Sequence, residues 1–331
     1  MTSLRPIITP ANAARLSRVR QLSPVRVSYT SGQRLGFDSR GAVLVAKDER
    51  PAHLQWWDLG TDSDRPVVET DLPLLGAPAV AVGELVVSIG ASAPSPSGLW
   101  RPSLKALSAR DGSLQRQDFL PHAVITLCAS RDGSQLLAVM DEEAGLLWDV
   151  RAWRPVRALP WPEGEFSVSA CALSADGRFA AASATQWNDD QRGVGVLWLW
   201  DVASGGQPWT LPIDASSAWS VAFHPREPLL VVGGLSEDVA VVHAEERRLV
   251  RTIPGFRGYA CNLDFHPEGH LLAASRDDWG FALHHFETGE VLFQASNDIE
   301  LQTSDAVFSP DGRFVAWGQG DGSVGLWAVA D

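Results

Sequence analysis

Lysine, tyrosine, methionine and cysteine are all scarce in this chain of 331 residues. The three cysteines, Cys128, Cys171 and Cys261, sit in apolar stretches at irregular separations. An odd number cannot complete a disulfide framework, and a thiol among apolar neighbours behaves as a small hydrophobe. A reducing compartment is therefore expected. Nowhere do about 18 uncharged apolar residues run together, and residues 1–20 contain no apolar run of signal-sequence length. These absences lead us to expect a cytoplasmic protein that does not engage a membrane. Basic excess is lacking too: 27 Lys and Arg stand against 40 Asp and Glu, for a formal net charge of −13. Such a charge repels phosphate backbones and argues against nucleic-acid binding, while favouring a basic partner. Among the basic residues only Lys47 and Lys105 are lysines. That bias reads as genome composition and points to a bacterium.

Motifs of the common enzyme classes are missing as well. There is no H-E-x-x-H or H-x-x-E-H, no G-x-S-x-G elbow and no P-loop. Gly320 to Gly325 matches G-x-G-x-x-G, but it falls between two expected strands, and a dinucleotide site needs a strand followed by a helix. His284 and His285 are neighbours on an expected strand, so their side chains leave opposite faces and cannot chelate one ion. His224 and His266 occupy equivalent turns, which explains them without a metal. No cofactor, metal or catalytic residue is expected.

What is present is glycine, proline and tryptophan: 29, 21 and 14 residues, scattered along a chain that is 45% hydrophobic. Many short strands joined by tight turns follow from that usage. The segment Phe308-Ser-Pro-Asp-Gly-Arg-Phe-Val-Ala316 reads as strand, turn, strand. Its turn, Ser309 to Gly312, recurs as Ser174 to Gly177, Ser130 to Gly133, His266 to Gly269 and Asp38 to Gly41, with His224 to Glu227 a degenerate copy. Proline presets φ at the second turn position and glycine accepts the left-handed conformation, so these are hairpin turns. A bulky position ends the third strand of each unit: Trp57, Leu107, Trp148, Trp200, Val242, His284 and Trp327. Their spacing runs from 41 residues (Leu107 to Trp148) to 52 (Trp148 to Trp200). A period in this range signals a repeat architecture.

Asp follows in Trp57-Asp58, Trp148-Asp149 and Trp200-Asp201. With the Ser-Pro-Asp-Gly turn and the closing phrase Trp200-Asp-Val-Ala-Ser-Gly205, the chain resembles the WD-repeat family over nearly its whole length. The resemblance implies an all-β, seven-bladed β-propeller of four-stranded antiparallel blades, forming a single domain over 1–331. The approximate blades are 23–59, 66–107, 114–150, 156–202, 207–244, 248–286 and 290–329. Departures exist: the opening Gly-His pair is missing, His122 being too close to its strand, so the family's His-to-Trp network cannot be complete. The second unit uses Val82-Gly83-Glu84 as its turn and carries an insertion, Ala91 to Gly98. Too few residues follow Trp327 for a fourth strand, so Ala14 to Leu22 is expected to supply the outer strand of the last blade beside Val324 to Val329. That closure would remove two edges.

The resemblance also implies that turns between second and third strands share one rim with the blade-linking loops, and that this rim is the partner-binding face. Those turns carry Asp48-Glu49, Asp141-Glu142-Glu143, Asp189-Asp190, Glu237-Asp238, Asp277-Asp278 and Asp321; the loops add Glu163, Glu165, Asp214, Asp298, Glu300 and Asp305. Single aspartates are explained by turn chemistry. The second acid of a pair is surplus, and is read as steering a basic partner. Trp187, Trp219, Tyr259 and Trp279 fall on the same rim and are the candidate contact aromatics. Trp187, Trp219, Tyr259, Trp279, Asp189, Asp190, Glu142, Asp278 and Glu237 thus form the candidate partner site. The expected function is a non-catalytic scaffold for a protein or peptide, monomeric alone or a subunit of a hetero-complex. Two alternatives stay open: an enzyme or small-molecule site at the mouth of the central channel, and a structural subunit of a larger assembly.

Overall fold

Alternating apolar residues punctuated by Asp-Gly turns should give antiparallel meanders, and the computed structural model contains seven of them. It describes residues 5–22, 35–49, 52–71, 78–91, 102–141, 144–188, 190, 192–256, 260–276, 280–296, 305–319 and 323–330. After β1 (Leu16–Leu22), blade one comprises β2 (Leu35–Phe37), β3 (Val43–Glu49), β4 (Ala52–Asp58) and β5 (Val68–Asp71). Blade two is β6 (Ala79–Val82), β7 (Leu85–Ala91), β8 (Pro102–Ser108) and β9 (Leu114–Phe119). Blade three is β10 (Val124–Ala129), β11 (Gln135–Met140), β12 (Ala144–Asp149) and β13 (Arg154–Pro160). Blade four is β14 (Phe166–Leu173), β15 (Phe179–Trp187), β16 (Gly193–Asp201) and β17 (Trp209–Pro212). Blade five is β18 (Ala218–Phe223), β19 (Leu229–Gly234), β20 (Val239–His243) and β21 (Arg248–Ile253). Blade six is β22 (Ala260–Phe265), β23 (Leu271–Arg276), β24 (Gly280–His285) and β25 (Val291–Ser296).

Blade seven combines β26 (Ala306–Phe308), β27 (Val315–Gly318) and β28 (Val324–Val329) with the distant β1, in the order β1-β28-β27-β26. The pairing is antiparallel, from Leu16 opposite Val329 to Leu22 opposite Val324, so the expected closure by the N-terminal segment is present. The first strands of neighbouring blades touch all the way round, including β2 against β26. The seven sheets are therefore blades of one closed ring.

The core lies in the seams between blades. Trp56 and Trp57 of blade one, Trp198 and Trp200 of blade four, and Trp317 of blade seven are almost wholly buried there. Trp200 donates its indole N–H to the Pro160 carbonyl at 3.0 Å, and Trp56 donates to that of Ala109 at 2.7 Å. The indole N–H groups of Trp148, Trp198, Trp317 and Trp327 have no hydrogen-bond partner, in keeping with the missing Gly-His pairs.

In every blade but the second, the first hairpin turn is built by its opening side chain, Asp38 in blade one accepting the N–H groups of Ala42 and Val43. Ser130, Ser174 and Ser309 donate to Asp132, Asp176 and Asp311 at 2.6–2.7 Å, while Gln135, Phe179 and Phe314 donate their N–H back to the same serines at 2.9–3.0 Å. The hydroxyl bonds are the largest influence holding the Asp132 and Asp176 carboxyls below the usual range. His224 and His266 do the same job in blades five and six. Their Nδ1 atoms accept from the N–H of Glu227 (2.9 Å) and Glu268 (3.1 Å). Their Nε2 atoms must then donate to the carbonyls of Gly269 and Gly312 in the next blade, both at 3.2 Å. That pattern requires the neutral ring, and burial lowers both imidazole pKa values accordingly.

Candidate functional site

In a four-stranded meander the second turn and the link to the next blade emerge at the same end. Hydrogen bonds tie them together here: Asp141 N–H to Ala123 O (3.0 Å), Trp187 N–H to Glu165 O (3.0 Å), Leu235 N–H to Ser217 O (2.9 Å) and Phe256 N–H to Glu237 O (3.0 Å). We call this end the upper rim. Asp141, Glu163, Glu165, Asp190, Asp214, Glu237 and Asp238 are all exposed on it. Asp305 was expected to add to that surface but is buried, its Oδ2 accepting the Leu35 N–H at 2.9 Å across the seam between blades seven and one. A free inner-strand N–H needs an acceptor, and the acid supplies it.

Among the described residues blade four has the longest strands, nine residues in each of β15 and β16. Its tip holds Trp187, 43% exposed, and Val194, 38% exposed. The tip is braced by the following link: Gly195 N–H donates to Ala215 O at 2.8 Å, Ile213 N–H donates to Gly195 O at 2.9 Å, and the Thr185 and Ser217 hydroxyls lie 2.5 Å apart. Gly193, opposite Trp187, cannot carry a side chain, because a Cβ there would lie 2.8 Å from Ser216 O and 3.3 Å from the Trp187 ring. An exposed indole is thus held on a rigid support beside Glu165 and Asp190.

Trp219 has a different setting. The register of β18 slips between Ala218 and Ser220, so Trp219 is the extra residue of a β-bulge. It is half-buried and lines the central channel, away from the blade-four tip. The structure therefore brings Trp187, Asp190 and Glu237 onto one rim and leaves Trp219 facing the axis. Asp189, Glu142, Tyr259, Asp278 and Trp279 lie outside the described residues, as do residues 92–98 of the insertion in unit two and Gly320 to Gly322.

The channel itself encloses about 250 Å³, bounded mainly by first strands and the turns after them. Among the described residues two carboxylates line it: Asp38, which accepts the N–H groups of Ala42 and Val43 in its own turn, and Asp264, whose Oδ2 accepts the Phe308 N–H at 2.6 Å. Burial pushes this carboxyl up to about 6, against the opposing pull of the Phe308 N–H and of Arg131, with Asp305 adding to the rise. Sequence reasoning missed it. The available signal was positional: the matching residues of other first strands are Gly36, Val80, Cys128, Ala172, Ala222 and Val307, so a charge there departs from the repeat. His284 is buried and stacked on Phe256 with ring centroids 4.3 Å apart. No three His, Cys, Asp or Glu side chains are grouped as metal ligands would be among the described residues, and no helix there is long and apolar enough to cross a membrane.

No family model matches the chain. Three proteins show partial likeness. The WD repeat-containing protein SL1-17 of Schistosoma mansoni is 26% identical over 133 residues, covering 40% of this chain and 44% of that protein. The guanine nucleotide-binding protein subunit beta of Saccharomyces cerevisiae is 26% identical over 103 residues, 28% of this chain and 24% of that one. Pre-mRNA-processing factor 19 of Bos taurus is 24% identical over 123 residues, 37% and 24% respectively. The matches span less than half the length of these relatives. All three are eukaryotic and lend no support to the bacterial origin read from the Arg bias. Seven four-stranded sheets in a closed ring make the chain a seven-bladed β-propeller, and the likenesses show parts of it to be similar to WD-repeat proteins.

Proposed function

We propose that this propeller is a non-catalytic, cytoplasmic scaffold that holds a basic protein or peptide segment on its upper rim, with Trp187 as the anchor. The observation that carries the reading is an exposed tryptophan on a braced hairpin, in a setting of exposed carboxylates. Rigid aromatics dominate interface energies because they bury a large area with little ordering cost. The surrounding acids would speed the approach of a cationic segment and choose its sign.

The test is fluorescence anisotropy with Arg- and Lys-rich peptides against charge-inverted controls. Basic peptides should bind more tightly, and more weakly as salt is raised. Trp187→Ala should cut affinity by about tenfold or more while leaving the melting temperature unchanged, since a hot-spot truncation removes roughly 2 kcal/mol. Equal binding of both charge classes, or an unaffected Trp187→Ala variant, would remove the rim from consideration. The alternative of a small-molecule site gains support from the charged residues Asp38, Arg131 and Asp264 in the channel lining.

A further inference from the structure

The seams between blades bring the first strand of one blade against the first strand of the next. The residue two before the first-hairpin turn faces forward into its seam, and the residue three before that turn faces back. Val80 and Leu127 share the core of the seam between blades two and three in this way, Ala172 and Val221 that of blades four and five, Ala222 and Leu263 that of blades five and six, and Val307 and Leu35 the closing seam. Ordinary aliphatic side chains therefore suffice to fill the position. Between blades three and four it is occupied by two thiols, Cys128 on β10 and Cys171 on β14.

Thr126 and Cys128 are two residues apart on β10 and direct their side chains to the same face. The Cys171 Sγ lies 3.9 Å from the Thr126 Oγ1 and 3.9 Å from the carbonyl oxygen of Leu137, the residue paired directly opposite Cys128. Cys128 in turn has Cys171 as its side-chain hydrogen-bond partner. The two sulfurs are thus neighbours across the seam. Both thiols are free and buried, 5% and 8% exposed, among Leu137, Val139, Val168 and Leu173. Both also line the central channel, whose volume of about 250 Å³ admits a molecule of a few heavy atoms.

We propose that Cys128 and Cys171 form a dithiol site for a small, neutral thiophile of the arsenous acid class, taken up from the channel. The apolar seam selects for neutrality, because an isolated charge is costly to bury, and the bis-thiolate complex of a monovalent soft cation would carry one. Arsenous acid leaves none. Each thiol hands its proton to one arsenic-bound hydroxyl, two waters depart, and two As–S bonds replace two As–O bonds with no change of oxidation state. The third hydroxyl stays on arsenic, with the Leu137 carbonyl and the Thr126 hydroxyl beside it. The adduct is a covalent staple between blades three and four. It uses no residue of the rim, so it stands or falls independently of Trp187.

Intact mass spectrometry and thermal shift on the reduced full chain decide the matter, with sodium arsenite at up to about 1 mM as the probe. One arsenic should be gained per chain with two waters lost, the melting temperature should rise, and excess 2,3-dimercaptopropanol should reverse both. Cys128→Ala and Cys171→Val install residues that the same positions carry in other blades, Ala172 and Val221, so both variants should fold as the wild type does. Each should weaken arsenite capture about tenfold or more, since one thiol cannot close the staple. Cys261→Ala, which removes the third cysteine, should bind as the wild type does. Absence of an adduct, a lowered melting temperature, capture that persists undiminished in either seam variant, or capture lost with Cys261→Ala would overturn the proposal.

Discussion

The left-handed position of the turn between third and fourth strands is filled by Gly112 in blade two, Gly205 in blade four and Gly289 in blade six, with φ between 62° and 74°. Blades three and five place Trp153 (φ 53°) and Arg247 (φ 54°) there instead. A side chain in this conformation costs roughly 1–2 kcal/mol. Trp153 is compensated: it packs edge-on against Trp148 at 5.9 Å, and the Arg116 guanidinium covers its ring at 5.9 Å. Arg247 is exposed. Arg247→Gly should therefore raise stability by roughly 0.5–1 kcal/mol in urea melts, the relief of strain exceeding the entropy that glycine adds to the unfolded chain. A loss of stability would show that the arginine makes up its strain elsewhere. Asp264 supplies a pH signature. Its folded pKa of about 6 lies above the unfolded value, so between about pH 4 and 6 the native state holds a proton that the unfolded chain has released. Stability from this group is complete at the acid end and is lost as pH rises through about 6. Neutral His224 and His266 act oppositely, weakening the fold as pH falls below about 6.5. The curve for wild type minus Asp264→Asn isolates the carboxyl. It should change by on the order of 1–2 kcal/mol across that window, with the variant the more stable near neutrality. A flat difference curve would mean that channel solvent screens the charge.

Turns and strand ends were the most legible elements. Ser-x-Asp-Gly and His-Pro-Glu-Gly name the first hairpins because those side chains build the turn themselves, and the seven bulky third-strand positions all fall on β4, β8, β12, β16, β20, β24 and β28. Bulges were not legible. Register slips in the first strands leave Ile125, Ser169 and Trp219 unpaired at equivalent places. An extra residue of this kind comes from the bending of the blade and not from composition, so Trp219 could be located along the chain but not aimed. β1 is the element with most at stake. Leu22, 1% exposed, packs with Leu35, Leu44 and Trp57 across the seam. Leu22→Ala should cost about 2–4 kcal/mol, and removal of residues 1–22 should lower the melting temperature far more, because it bares β28 as well as emptying that seam. An unchanged melt in calorimetry of the truncated chain would refute the role assigned to β1.

At the scale of the molecule, the number of sheets could be read from the repeat because each blade needs the same grammar to bury its two faces against its neighbours. What meets across the axis could not be read, since Arg131 and Asp264 are 133 positions apart and only the circle brings them to one cavity. Closure by β1 also has a temporal side. Residues 16–22 leave the ribosome early and must wait unpaired until 324–329 follow, on the order of tens of seconds at ordinary synthesis rates. For that interval the nascent arc offers two sticky borders to every other growing chain nearby, which makes the emergence of 324–329 the event that decides whether the product assembles or clumps.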